Sequence, residues 1–315
     1  MRGPLSFTQV ALLAAVGVTI TAAPSAQRAP VVLPALQPFL VSHYDFDHPV
    51  AGDATREMDL GPSGTAISLI NGGAAMRVDE AAYPGSGRAL RTQQVNPTLT
   101  ANDDWKAGIY REGGVPSLGR FNAAGGITLM GWIKPNGRNP NLNSMTAAPD
   151  DQYNAIGLFG LLAGNSDGHS VRALLELINV AGTMRLVALG RRLDTGDSLT
   201  LAATDDWPAL LPNGRWTHVA ATFDFDAGTM GLYRNGEPLA ASYSPAGDRW
   251  GVAGDPEPDV TSPTNPAGIK IGGSFPQNSV ERNPFNGLMD DLMFFDRSLK
   301  ADDIRAQFAR FQDQR

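Results

Sequence analysis

Cysteine is absent from this chain of 315 residues, and histidine is rare. Without cysteine there are no disulfides, no thiol nucleophile and no cysteine-based zinc site. None of the four histidines is spaced from another as in the His-x-x-x-His motif of helix-borne zinc sites. Only 18% of the residues are charged, and the net charge of −7 argues against nucleic acid or an anionic membrane surface as a partner.

Long apolar runs are also missing. The one candidate, residues 10–20, is uncharged but too short to cross a bilayer. Together with Arg2 and the small residues that follow, this run predicts a signal peptide over residues 1–26. We therefore expect a secreted or periplasmic protein with no membrane span in the mature chain. Residues 27–38 are rich in proline and alanine, which predicts an extended linker.

Glycine and proline, by contrast, are abundant, with 35 and 23 copies, and they indicate many turns and few long helices. Residues 127–135, 216–224 and 230–234 alternate in the manner of strands, and Asn235-Gly236 is a strong hairpin signal. Only residues 298–311 have helical periodicity. The sequence therefore predicts an all-β fold, an antiparallel two-sheet sandwich with one short C-terminal helix.

We expect residues 39–311 to form a single domain around one shared apolar interior. Phe46, Trp132 and Trp216 should all point into that interior. Residues 194–213 and 243–266 are predicted to be long irregular loops, because they carry turn residues and, in the second case, five prolines.

The order of the motifs resembles a known family. Phe46-Asp47 precedes a turn at residues 59–64, and an alternating strand that ends in Trp-x-x-Pro follows at 127–135. Next come Trp-x-His-Val-Ala at 216–220 and Tyr-x-x-Gly at 233–236, and the last strand contains Gly-x-x-Asp-Asp at 287–291. In this order the motifs resemble the laminin-G-like jelly roll of the concanavalin A-like lectin/glucanase superfamily, over residues 39–308.

The resemblance implies a structural calcium ion in many members of the family. Calcium takes six to eight oxygen ligands, many of them carboxylates and turn carbonyls. Asp47 and Asp290 are the first candidates, with Asp59 and the carbonyls of the turn that it begins. The alternative is that these aspartates cap turns or face solvent.

Three tryptophans, Trp105, Trp207 and Trp250, lie in segments predicted to be irregular. Two of them directly follow a pair of aspartates, and an indole beside carboxylates can stack on a sugar ring while the carboxylates accept hydrogen bonds from hydroxyls. The alternative is that each indole packs inward and fixes a loop.

Recognisable catalytic motifs are missing. No two of the seven glutamates have the alternating strand spacing that retaining glycoside hydrolases use. The leading hypothesis is an exported, non-catalytic recognition module for carbohydrate, with calcium as a structural ion. The alternatives are a glycan-cleaving enzyme with an unfamiliar carboxylate site, and an adhesion or envelope scaffold that binds a cell-surface protein. In the recognition module, strands would hold the binding loops rigid while the loop sequences set specificity.

Overall fold

Two antiparallel sheets make up most of the computed structural model, which describes residues 31–93, 105–137, 156–162, 171–181, 183–193, 198–244, 265–273 and 284–313. The strands are β1 Leu40–Tyr44, β2 Pro49–Val50, β3 Asp53–Glu57, β4 Ile67–Ile70, β5 Arg77–Val78, β6 Ala89–Thr92, β7 Lys106–Tyr110, β8 Gly126–Pro135, β9 Ile156–Leu162, β10 Val171–Val180, β11 Thr183–Arg191, β12 Ser198–Ala203, β13 Thr217–Asp224, β14 Thr229–Arg234, β15 Glu237–Pro238, β16 Ala241–Ser244, β17 Gly268–Ile271 and β18 Gly287–Phe295. The helices are α1 Arg120–Ala123, α2 Trp207–Leu210 and α3 Ala301–Gln312, with single 3-10 turns at Gln37–Phe39, Gly73–Met76 and Pro116–Leu118.

The eight-stranded sheet has the order β15-β14-β13-β8-β18-β6-β5, and β1 also pairs with β18. The ten-stranded sheet has the order β16-β12-β11-β10-β9-β17-β7-β4-β3-β2. Because the first strand pairs with the last, the chain closes on itself in a jelly-roll manner. The predicted fold class, with one substantial helix at the C-terminal end, is confirmed; α1 and α2 are single turns that the sequence did not predict.

The main core lies between the sheets, where inward side chains of both sheets meet. Phe294 of β18 packs edge-on against Phe159 of β9, with ring centroids 6.1 Å apart, and thus joins the two sheets. Tyr44 of β1 meets Phe294 at the same distance. Successive side chains of a strand point to opposite faces, so every second side chain enters this core. On β13 these include Val219 and Ala221.

The prediction of one shared interior is wrong in part. Phe46 lies in the main core, but Trp132 lies in a second apolar cluster on the outer face of the eight-stranded sheet, and Trp216 packs against that cluster. On β8, Leu129 and Ile133 face the main core, so Trp132 must face away from it. That outer face is apolar because α3 covers it.

Residues 31–38 are packed rather than extended as a linker. Val32 and Leu36 are buried in the second cluster. The buried side chain of Gln307, on α3, fixes this segment twice: it accepts from the Leu33 N–H at 2.9 Å and donates to the Val31 carbonyl at 3.1 Å. The segment is therefore part of the folded domain from residue 31 onward.

The segment 194–213 is also more regular than predicted, since it contains β12 and α2. The predicted hairpin turn is confirmed, with φ of 50° at Asn235 and 83° at Gly236. The signal-peptide prediction for residues 1–26, and most of the predicted loop at 243–266, lie outside the described residues. Among the helices that are described, none has the length and apolar character needed to cross a membrane.

Candidate functional site

Asp59 stands at the start of the turn predicted to supply calcium ligands, and its carboxylate is used within the chain. Oδ1 accepts from the backbone N–H groups of His43 and Gly61, both at 2.7 Å. Oδ2 accepts from the Thr65 N–H at 3.1 Å and from the Ser63 hydroxyl. Four hydrogen-bond donors therefore point at this carboxylate. Their partial positive charges stabilise the carboxylate and oppose a cation at the same place.

Asp290 is fully buried in β18 and is likewise supplied with donors. Its Oδ2 accepts from the Ser86 hydroxyl at 2.6 Å and from the Ala82 N–H at 3.2 Å, while Oδ1 accepts from the N–H of Asp291 at 2.8 Å. Burial, followed by the neighbouring charge of Asp291, raises the pKa of Asp290 well above its usual value. This carboxyl ties the loop before β6 to the last strand.

Asp291 pairs with a histidine of the first strand. A local irregularity of β18 gives Asp291 a φ of 47°, and its Oδ1 lies 2.6 Å from Nε2 of His43. Burial opposes a proton on His43, yet the hydrogen bond and charge of Asp291 outweigh it and raise the pKa of this imidazole. The hydrogen bond between His43 and Asp291 thus joins β1 to β18.

Asp47 is only partly buried and accepts from the Gly87 N–H at 2.9 Å. Each of the three predicted calcium ligands therefore already accepts hydrogen bonds from donors within the chain, and His43 and Asp291 link Asp59 to Asp290. Within the described ranges there is no group of three or more His, Asp or Glu side chains that could hold a metal ion. Asp47, Asp59 and Asp290 do not fit one calcium site.

We expect millimolar calcium to leave the melting temperature unchanged within error, because these carboxylates already have protein donors. An ion that binds only the folded state must raise that temperature, and a hundredfold excess over its dissociation constant adds about 2.7 kcal/mol. Thermal melting in calcium and in chelator measures this directly, with magnesium as the control ion. A reproducible rise specific to calcium would contradict the expectation.

The tryptophans proposed as sugar platforms lie far apart. Trp105 directly precedes β7, and Trp207 begins α2 just after β12. Five strand spacings separate β7 from β12, which corresponds to about 24 Å. The two indoles cannot share one sugar ring, and Trp250 lies outside the described residues.

Both of these tryptophans pack partly against the main core. The guanidinium of Arg91 lies 4.3 Å from the centre of the Trp105 ring, and a Cβ added to Gly72 would come within 2.7 Å of the same indole. Such contacts favour the alternative in which these side chains fix loops. Ligand binding by either indole stays a prediction.

Two lysines lie on the outer face of the ten-stranded sheet. Ala107, Ile269 and Ile271 point into the main core, so the alternating positions Lys106 and Lys270 point outward. The chain has four lysines in all, and each of these two is only 2% exposed. Lysine is seldom this buried without partners, and both side chains do take part in interactions within the chain.

Glycines border these lysines. Lys270 is paired directly with Gly108 on β7 and with Gly160 on β9. Lys106 lies two residues from Gly108 and is a diagonal neighbour of Lys270, at about 7 to 8 Å. A face without side chains at these positions lets another group approach the strands closely.

The same face carries an acid and an aromatic residue. Glu176 points outward because Leu175 and Leu177 enter the core, and it is buried. Tyr110 is partly exposed and lies opposite Gly268, within an apolar patch that includes Leu174. Tyr110 is a diagonal neighbour of Lys270, whereas three strand spacings, about 14 Å, separate β7 from β10, on which Glu176 lies.

This arrangement does not support glycoside hydrolysis. Glu176 is the sole acidic residue in β7, β17, β9, β10 and β11. Hydrolysis of a glycosidic bond commonly requires two carboxyl groups on either side of it, and Asp290 is buried in the other sheet. Within these five strands, Glu176 therefore has no second carboxyl group with which to form a catalytic pair.

The sequence does contain a pattern that marks Lys270 and Glu176, namely a single charged residue between two apolar ones. This pattern is not among the motifs that indicated the family. Ile269-Lys270-Ile271 and Leu175-Glu176-Leu177 each place one charge between apolar residues that fill a core. A strand buried on both faces is normally apolar throughout. Charges at such positions therefore mark a polar outer face, although sequence alone does not show that the strands are neighbours.

The model of a protein family described as the concanavalin A-like lectin/glucanases superfamily matches residues 112–305, which is more than half of the chain. The chain belongs to this superfamily, as its motifs indicated. No curated protein matches it.

Solved structures show the same fold at low identity. The binding domain of botulinum neurotoxin DC, solved in complex with rat synaptotagmin II, is 12% identical, with a TM-score of 0.53 over 88% of this chain and 53% of that one. A structure of botulinum neurotoxin type C, whose cell entry depends on interaction with two ganglioside molecules, is 12% identical, with a TM-score of 0.54 over 89% and 53%. This chain thus spans about half the length of these solved chains, and the likeness shows the fold alone.

Proposed function

We propose that this protein is an exported, non-catalytic recognition module that binds carbohydrate on the outer face of the ten-stranded sheet. The observation that carries the proposal is the partly exposed ring of Tyr110, a diagonal neighbour of Lys270 on a face bordered by glycines. Sugar hydroxyls both donate and accept hydrogen bonds, and the phenolic hydroxyl of a tyrosine does the same. Its aromatic ring suits the apolar face of a pyranose.

Elimination among the surfaces supports the same location. The outer face of the eight-stranded sheet is occupied by α3 and residues 31–39, whose apolar side chains form the second cluster. The space between the sheets is the main core. On the outer face of the ten-stranded sheet, Tyr110, Ile70 and Leu189 are partly exposed, whereas Lys106, Lys270 and Glu176 are buried.

Two lines of comparison agree with a binding role. The superfamily includes lectins by its description. Similar folds occur in toxin binding domains whose structures are associated with gangliosides and with synaptotagmin. A glycan is the favoured ligand because the partly exposed Tyr110 combines an aromatic ring with a hydroxyl group. A cell-surface protein is the alternative outcome of the test.

We expect Tyr110→Ala to weaken glycan binding at least tenfold, which corresponds to about 1.4 kcal/mol. The measurement is an array of polysaccharides followed by calorimetry on the best ligand. Tyr233→Ala is the matched control, since Tyr233 is also partly exposed but packs on the opposite sheet.

Each variant must first match the parent in circular dichroism and melting temperature. Equal binding by the parent and Tyr110→Ala would place the ligand elsewhere. An array without any binding, combined with capture of a single surface protein, would favour the adhesion alternative.

A further inference from the structure

His218 lies on β13 in a closed aromatic box on the outer face of the eight-stranded sheet. Its ring centroid is 5.4 Å from those of Trp132 and Phe311 and 5.7 Å from that of Phe308. The side chain is fully buried, and neither ring nitrogen has a hydrogen-bond partner in the described part of the chain. Two of the three aromatic neighbours belong to α3.

No charged group compensates a proton on this ring in the described part of the structure. On α3, Arg305 pairs with Glu237 and Asp302, all of them at the solvent border. On β8, Lys134 pairs with Glu80, which also accepts from the Trp216 indole. These charges are engaged with one another at the edge of the box.

Two further titratable groups face the box from the elements around it. Asp290 lies beyond Trp132 on β18, where its donors are Ser86, Ala82 and Asp291. Tyr83 stacks beside Trp132 and Phe311, and burial raises its pKa far above the usual value, so it stays neutral. Burial alone lowers the pKa of His218 to about 3.

The helix that closes the box is separable from the main core. No residue of α3 contributes to the core between the sheets. The helix is held by the second cluster, by the two hydrogen bonds of Gln307 and by the exposed pair of Arg305 with Glu237. Loss of α3 would uncover the outer face of the eight-stranded sheet without opening the sandwich.

We propose that the docking of α3 on the eight-stranded sheet is acid-sensitive, with His218 as the sensor. With α3 docked, the imidazole has neither water nor a partner for a proton. With α3 released, the same ring is hydrated and binds a proton readily. Acid therefore releases the helix and exposes the aromatic surface around Trp132, while the core between the sheets stays folded.

The sign of the effect follows from the two proton affinities. The pKa of His218 is near 3 in the docked form and near the ordinary 6.5 in the released form. Above 6.5 neither form binds the proton, so docking is at full strength. Below it only the released form binds the proton, and the docking equilibrium falls about tenfold per pH unit, so that at pH 4 it is roughly 300-fold below its value at high pH.

Hydrogen exchange of the full chain at about pH 7 and about pH 4, corrected for intrinsic rates, tests this directly. The expected result is a loss of protection in residues 301–312 by about two orders of magnitude at the lower pH, with β13 and β18 still protected. His218→Gln, which is polar but does not titrate, should abolish this acid response. Simultaneous loss of protection in α3 and both strands would overturn the proposal.

A second variant separates the histidine from the ion pair on the same helix. Arg305→Gln removes the exposed pair with Glu237 and should leave the acid response in place. Retention of the response in His218→Gln, or its disappearance in Arg305→Gln alone, would overturn the proposal. If His218→Gln does not fold, His218→Phe fills the box with an apolar ring and gives the same readout.

Discussion

Arg77→Met is expected to destabilise the protein by about 3 to 5 kcal/mol near neutral pH, because it leaves a buried carboxylate without its cation. Arg77, on β5 of one sheet, donates from Nε at 2.9 Å, and also from a terminal nitrogen, to Oε2 of Glu57, on β3 of the other. Glu57 is fully buried, and its other oxygen accepts from the His48 N–H at 2.9 Å. The pair therefore connects the edges of the two sheets.

The pH dependence of this loss has a defined sign. Burial raises the pKa of Glu57 even with Arg77 in place, and removal of the guanidinium must raise it further. A carboxyl whose pKa is raised on folding costs stability when it is ionised. The defect of Arg77→Met should therefore be largest above the raised pKa of Glu57 in the variant, shrink as the pH falls through that pKa, and no longer change with pH below the ordinary glutamate value of 4.5.

Urea unfolding at several pH values measures this defect. The double variant Glu57→Gln, Arg77→Met should recover most of the loss at neutral pH, since no buried charge remains. Arg88→Met is the matched control, because its partner Asp79 is exposed and the pair lies in solvent. A single variant as stable as the parent would show that the pair does not hold the sheets together.

Phe294→Ala is expected to cost about 3 to 5 kcal/mol, the range for truncation of a buried phenylalanine. The ring is fully buried and meets Phe159 across the core and Tyr44 of the first strand. Its loss removes apolar burial and leaves a cavity between the sheets that rigid strands cannot fill. The readout is the free energy of unfolding in urea.

Met58→Ala serves as the control for that truncation. Met58 is 42% exposed, so its removal should change the free energy of unfolding by no more than about 0.5 kcal/mol. Similar losses in Phe294→Ala and Met58→Ala would mean that the interface between the sheets is not the main source of stability.

The strands are predictable from sequence because alternation and turn residues are local properties. Residues 127–135 and 216–224 agree with β8 and β13 to within one residue at each end, and the hairpin turn at Asn235 has the predicted backbone. The direction of a side chain relative to the core is less predictable. The sequence favours Trp132 in the core, but both faces of β8 are apolar, and alternation alone does not show which face meets a helix.

The candidate site is hardly predictable from sequence, since it depends on long-range pairing. Lys106 and Lys270 are neighbours only because β7 pairs with β17, across more than 150 residues of sequence. The calcium prediction identifies residues at the junction of the first and last strands, but it contains nothing about their partners. Hydrogen-bond donors from Ser63, Ser86 and the backbone surround carboxylates that the sequence shows only as isolated aspartates.

The double hydrogen bond from Gln307 to residues 31 and 33 has a mechanical consequence. Asp313 lies six residues beyond Gln307, which in a helix corresponds to about 9 Å, so both ends of the folded domain emerge on one side of it. A tether fused at either end would leave the ten-stranded sheet facing outward. Tension applied between the two ends would therefore detach the N-terminal segment and α3 first. The sandwich, which is the larger barrier to extension, would carry no load until both had detached.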